Sequence, residues 1–157
     1  MNANVSLKAV VDEMEMLTDQ RHAYVNKRTG ETVSISDEEI EAIDSEEPLE
    51  DYPEWQQELI QVAREIRDSP DCIELPSKFD IHDYAIMERF CRSQEDSELR
   101  ETLLDLIHGS GAFQRFKDAI NEYDIVRAWY EFRRDSYRDI AIEWLEGHEI
   151  PFTSDDN

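Results

Sequence analysis

His22-Ala23-Tyr24-Val25-Asn26-Lys27-Arg28-Thr29-Gly30-Glu31-Thr32-Val33-Ser34-Ile35-Ser36-Asp37-Glu38-Glu39 decides the fold class of this chain. Residues 22–26 and 31–35 alternate apolar and polar side chains, the period of a half-buried strand, around Lys27-Arg28-Thr29-Gly30. Glycine at position 30 supplies the positive φ that closes a short hairpin. Ser36 with Glu39 three residues on is a capping box, and Asp37, Glu38 and Glu39 suit the positive end of a helix dipole. The second strand therefore runs straight into a short helix carrying Ile40 and Ile43. A lone two-stranded ribbon is marginal in water, so the hairpin is expected to pack on neighbouring helices.

Helical periodicity dominates on both sides of the hairpin. Val5, Leu7, Val10, Val11, Met14 and Leu17 predict an amphipathic helix over 5–17. Asp51 and Pro53 suit the start of a helix whose apolar face is read as Trp55, Leu59, Val62 and Ile66, ending at Ser69-Pro70. Cys72-Ile73-Glu74-Leu75 before Pro76 is expected to be extended, because a residue preceding proline avoids the helical region. Further helices follow: one opened by Asp80 and Asp83 with Tyr84, Met87, Phe90 and Cys91 on one side, and one capped by Ser97 that stops at Gly109. The next runs from Gly111 to Tyr123 with Phe113, Phe116 and Ile120 inward, and a long last one runs from Ile125 to Glu146 and ends at Gly147. The sequence predicts an α+β fold, predominantly α: an N-terminal helix and β-hairpin followed by a bundle of about five helices. Residues 1–52 hold the helix, hairpin and acidic short helix or linker, 53–147 the helical body, and 148–157 a flexible tail, as one structural domain.

Charge excludes whole classes of partner. The 157 residues carry 16 Lys plus Arg against 39 Asp plus Glu, a formal net charge of −23. Eleven acidic residues and no basic one lie between Asp37 and Glu58. Such a field repels nucleic-acid phosphates and anionic membrane, so nucleic acid is an unlikely partner, and a solvated face or linker is the ordinary reading of the acid block. No apolar run approaches a membrane span and no secretory signal follows Met1, so a cytoplasmic location and no membrane partner are expected. Cys72 and Cys91 form no C-x-x-C pair and are read as small core side chains.

Chemistry-bearing motifs fail spacing checks, so no catalytic residue, metal ligand or cofactor is assigned. Gly109-Ser110-Gly111 satisfies neither the phosphate loop nor the dinucleotide fingerprint. His82-Asp83 lacks converging partners among the histidines at 22, 82, 108 and 148, and His148-Glu149 is followed by Phe152 where a zinc motif needs histidine. One anion-site reading stands: Ser110, Arg115 and Lys117 at the helix start after Gly111, helped by Lys78. Arg127, Arg134 and Arg138 lie near Glu131, Asp135 and Asp139 at intrahelical ion-pair spacings. The last helix bears more than one apolar stripe, which suits a central helix or one covered by a second copy of the chain.

Ile73-Glu74-Leu75-Pro76-Ser77-Lys78-Phe79-Asp80-Ile81-His82-Asp83-Tyr84, Met87-Glu88-Arg89-Phe90, Gly109 to Asp118, and Trp129-Tyr130-Glu131-Phe132-Arg133 together resemble the uncharacterised bacterial protein family numbered 0158 in the UPF series. The spacing of Tyr24, Gly30, Glu31 and Val33 agrees with that family's hairpin. The resemblance covers roughly residues 20–146 and implies a bacterial cytoplasmic protein with an α-rich fold. It implies no activity, and Ser110 stands where family members more usually carry a basic residue. Three functional expectations result: a non-enzymatic protein-binding or regulatory protein with a protein partner, a phosphate or nucleotide binder at Gly109–Lys117 with hydrolysis as its extension, and a nucleic-acid mimic.

Overall fold

The computed structural model describes residues 4–45 and 47–154, with no account of the Phe79 side chain. In chain order the elements are β1 (Val5–Ser6), α1 (Leu7–Met16), β2 (Arg21–Asn26), β3 (Thr32–Ser36), α2 (Asp37–Asp44), a 3-10 turn (Leu49–Asp51), α3 (Glu54–Asp68), β4 (Cys72–Glu74), α4 (Lys78–Ile81), α5 (Asp83–Arg92), α6 (Ser97–Leu106), α7 (Ala112–Glu122), α8 (Val126–Gly147) and β5 (Phe152–Thr153). The fold is α+β and predominantly α, with the N-terminal helix followed by the hairpin. These elements form two compact units, one up to Ile81 and again from Ile140 onward, the other His82–Asp139.

In the first unit β2 is the centre of a three-stranded sheet, paired antiparallel with β3 and with β4. The hairpin loop is held by Asn26, whose side-chain oxygen accepts from the Arg28 and Thr29 N–H groups, and Gly30 takes φ +82°. Ala23, Val25 and Ile35 are buried together with Leu7, Val10, Val11 and Met14 of α1, which packs on the hairpin. Both bonds of the Ser36–Glu39 capping box form, at 3.3 and 3.1 Å. The first helix is shorter than its periodicity predicts. Ser6 caps it, accepting from the Ala9 N–H at 3.1 Å, while Val5 leaves the helix to pair in parallel with Phe152.

In the second unit the core is a stack of aromatic edges. Phe116 meets Trp129 at 4.8 Å between ring centroids, and Phe90 meets Trp129, Phe132 and Phe116 at 5.3, 5.4 and 6.0 Å. Such edge-on contacts add about 0.5–1.5 kcal/mol each beyond area burial. Phe113, expected inward, is 44% exposed and only edges against Tyr84. It lies in the first turn of α7, on the side of the helix that carries the buried Phe116 but at the end that opens to solvent.

Two helix boundaries differ from the sequence reading for backbone reasons, and a third holds by a different residue's geometry. The helix expected from Asp80 to Cys91 is broken at His82, whose φ of +58° is left-handed, and α4 has its own reciprocal cap between Ser77 and Asp80. α6 is capped by Asp96 rather than Ser97, its carboxylate accepting from the Glu98 and Leu99 N–H groups. α8 ends at Gly147 as expected, but the left-handed residue that closes it is Glu149 at φ +56°, and the Ile150 N–H donates back to the Leu145 carbonyl at 2.9 Å. That bond is the six-to-one closure of a Schellman end.

Candidate functional site

The corner between α6 and α7 gathers Ser110, Arg115 and Lys117 within one unit, whereas Lys78 belongs to α4 of the other. Gly109 and Gly111 have φ +77° and +80°, the left-handed values that let two helices meet so tightly. The positive φ favours glycine at position 111, and a Cβ there would lie 3.1 Å from Arg115 Nη1, close enough to push the guanidinium aside by a few tenths of an ångström. The Arg115 guanidinium folds back over the corner. Nε donates to the Leu106 carbonyl at 2.8 Å, Nη1 to that of Ser110 at 2.7 Å, and Nη2 to that of His108. The three nitrogens thus satisfy one carbonyl that the end of α6 leaves without a helical partner and two of the corner itself. Ser110 and Lys117 are exposed on the same corner. Lys78, with Thr18, Asp19, Arg21, His22 and Ser77, lines a cleft of about 250 Å³.

Titratable groups elsewhere are arranged as struts. His22 on β2 spans two carboxylates, with Nε2 2.6 Å from Asp37 and Nδ1 3.0 Å from Glu74, and so ties the central strand to α2 and β4. The imidazole stands between the two acids, which are its hydrogen-bond partners rather than ligands converging on a common point. Among the described residues no trio of His, Cys, Asp or Glu is placed to hold a metal.

Tyr137 is fully buried, its hydroxyl donating to the Asp83 carboxylate and accepting from Arg133 at 3.2 Å. Burial first, and then the hydrogen bond to Asp83, holds this phenol above its ordinary pKa, so it stays neutral and out of a substrate's reach. His82, which precedes Asp83, is exposed, while Asp83 is engaged with Tyr137. Burial, with the Glu88 charge adding to it, pushes the Cys91 thiol up to about 11 and leaves it inert as a nucleophile at neutral pH.

The outer face of α3 departs furthest from the sequence expectation. Trp55, Leu59 and Val62, read as core, are 68%, 47% and 48% exposed, while Ile60 and Ala63 of the same helix are buried. α3 carries two apolar faces, and α2 packs against it, joined by the Arg67–Asp44 ion pair at 2.6 Å. Gln57 anchors its first turn by donating to the Tyr52 carbonyl at 2.7 Å. Size favours Trp55 and Leu59 as core residues when only the sequence is read. The second pair, Ile60 and Ala63, gives the one sequence signal that another face competes. Glu54, Glu58 and Glu65 are exposed on the same helix. Three large apolar side chains are thus exposed in line and bordered by acids, a contiguous patch rather than the scattered exposure that is ordinary on protein surfaces.

A family profile described as "Uncharacterised protein family (UPF0158)" matches residues 3–157. A UPF0158 protein of Pseudomonas aeruginosa is 29% identical over 66 residues, which are 41% of this chain and 43% of that protein. The chain thus spans less than half the length of this relative. No solved structure matches the chain.

Proposed function

The chain belongs to the uncharacterised protein family UPF0158, and since that membership carries no activity with it, we propose from the chain's own surface that it acts by binding another protein rather than by catalysis. The observation that supports this reading is the outer face of α3, where Trp55, Leu59 and Val62 lie in water. Removing such side chains from water is the main favourable term in protein association, and aromatic anchors carry a disproportionate share of it. The acidic surface around them disfavours phosphate-bearing partners and slows encounter with other acidic proteins. The protein is read as an acidic docking or regulatory component, and no helix among the described residues is long and apolar enough to cross a membrane.

The test is comparative. Tagged wild-type protein, expressed in its own organism, is expected to retain a stoichiometric partner. The Trp55→Ala/Leu59→Ala variant is expected to lose that partner while its melting temperature moves little, because exposed positions usually change stability by no more than about 0.5 kcal/mol. Equal retention by the folded double variant, or no stoichiometric partner on the wild type, overturns the reading.

A further inference from the structure

Resting on the docking reading of α3, we infer that its occupant is a basic amphipathic helix of another protein, seated alongside α3 as the second strand of a short two-helix coiled coil. The exposed Trp55, Leu59 and Val62, with the half-buried Ile66, set the shape. Trp55, Leu59, Val62 and Ile66 are spaced four, three and four apart. That alternation is the d-a-d-a seam of a heptad repeat, with a mean period of 3.5 residues that keeps one stripe facing a neighbouring helix over its whole length. An extended strand presents side chains at alternate residues and does not match this spacing. The seam rises about 16 Å along the helix, three turns, at about 1.5 Å per residue.

The flanks set the charge. With Trp55 at d, the g positions are Glu58 and Glu65, both exposed, and the e positions are Gln56 and Ala63. Ala63 is fully buried and Gln56 half-buried, so the protein's own body closes the e side. Only the acidic side is open, and a partner helix meets it with lysine or arginine, the pairing that sets partner choice in coiled coils. A second copy of this chain is a poor occupant in either direction. Antiparallel pairing sets Glu58 opposite the other copy's Glu65, and parallel pairing requires Glu58 to reach the other copy's buried Ala63. Each copy would also bring a net charge of −23. Nucleic acid and anionic lipid meet the same acidic flank with phosphate and are repelled.

The experiment uses the full chain and three synthetic helices of three heptads, each with Leu at a and d, and with Lys, Gln or Glu at e and g. Titration calorimetry is expected to give one-to-one binding of the Lys peptide, at least tenfold tighter than the Gln peptide and weakening with salt, with no binding of the Glu peptide. Glu58→Lys/Glu65→Lys should reverse the order of the Lys and Glu peptides. Glu101→Lys/Glu122→Lys, which alters net charge equally at exposed positions on α6 and α7, should leave the order unchanged. Trp55→Ala should weaken the Lys peptide at least tenfold.

Equal effects of the two charge reversals, or an unaltered affinity in Trp55→Ala, overturn the inference, as does a wild-type dimer in sedimentation that Leu59→Lys dissolves. The two readings fail separately. If the cellular partner is lost in Trp55→Ala/Leu59→Ala but no Lys preference exists, the basic helix is wrong and docking on α3 stands. If the partner is retained in that variant, docking itself is wrong.

Discussion

Phe116→Ala is expected to lower the free energy of unfolding by about 3–5 kcal/mol, the ordinary result of truncating a fully buried phenylalanine. The ring is 1% exposed and stands edge-on to both Phe90 and Trp129, so its removal opens a cavity lined by rigid aromatic faces that cannot collapse easily. Typical domains have only about 5–15 kcal/mol in total, so the loss is a large fraction of the stability available. Urea unfolding followed by circular dichroism and tryptophan fluorescence measures it. Phe113→Ala is the matched control. Its ring is half in water with one edge contact to Tyr84, and a change below about 1 kcal/mol is expected. Similar losses in the two variants would contradict the inward position of Phe116 and the outward position of Phe113.

Arg115→Ala is expected to cost about 2 kcal/mol, in the range of a charged hydrogen-bond donor removed from partly buried acceptors. The bonds to the Leu106, His108 and Ser110 carbonyls hold the end of α6 against the start of α7, so amide exchange should rise most around the corner. Arg115→Lys keeps the charge but lacks the planar fork that reaches three carbonyls at once, and should recover less than half of the loss. Inorganic phosphate discriminates this cap from an anion site. As a cap, Arg115 stabilises the protein equally with and without phosphate. A wild-type melting temperature that rises with phosphate, and a rise that disappears in Arg115→Ala, would show instead that the guanidinium serves a ligand.

The hairpin is legible in the sequence because three independent local signals agree: alternation on both strands, Gly30 at the turn and the Ser36–Glu39 box at the exit. Long-range pairing is not. Cys72–Glu74 reads as extended from Pro76 alone, and nothing local says that it lies against β2, since strand partners far apart in sequence are chosen by the assembled core. Val5 looks helical because its spacing to Leu7, Val10 and Val11 is helical. Its pairing with Phe152, at the far end of the chain, leaves no periodic trace.

His82 and Glu149 show a second limit. Glycine announces a left-handed backbone, as at Gly30, Gly109 and Gly111, but a non-glycine residue held there by its surroundings carries no such sign. At the corner, the two glycines are readable and the direction of the Arg115 side chain is not, because a cation near a helix start looks the same whether it faces an anion or its own carbonyls. On α3 the sequence shows the stripe of Trp55, Leu59, Val62 and Ile66 and reads it as core, because the smaller Ile60 and Ala63, which are the buried pair, do not stand out beside it.

Photo-crosslinking from α3 separates a docking face from an idle apolar patch. A benzoylphenylalanine residue in place of Val62, at the middle of the exposed seam, should give a single discrete adduct with another protein on irradiation in cells. The same residue in place of Tyr130, which is also exposed but lies on α8, should give none. The linked partner peptide is predicted to be rich in lysine or arginine on either side of an apolar heptad seam. No adduct at position 62, or equal adducts at positions 62 and 130, would contradict a dedicated docking face on α3.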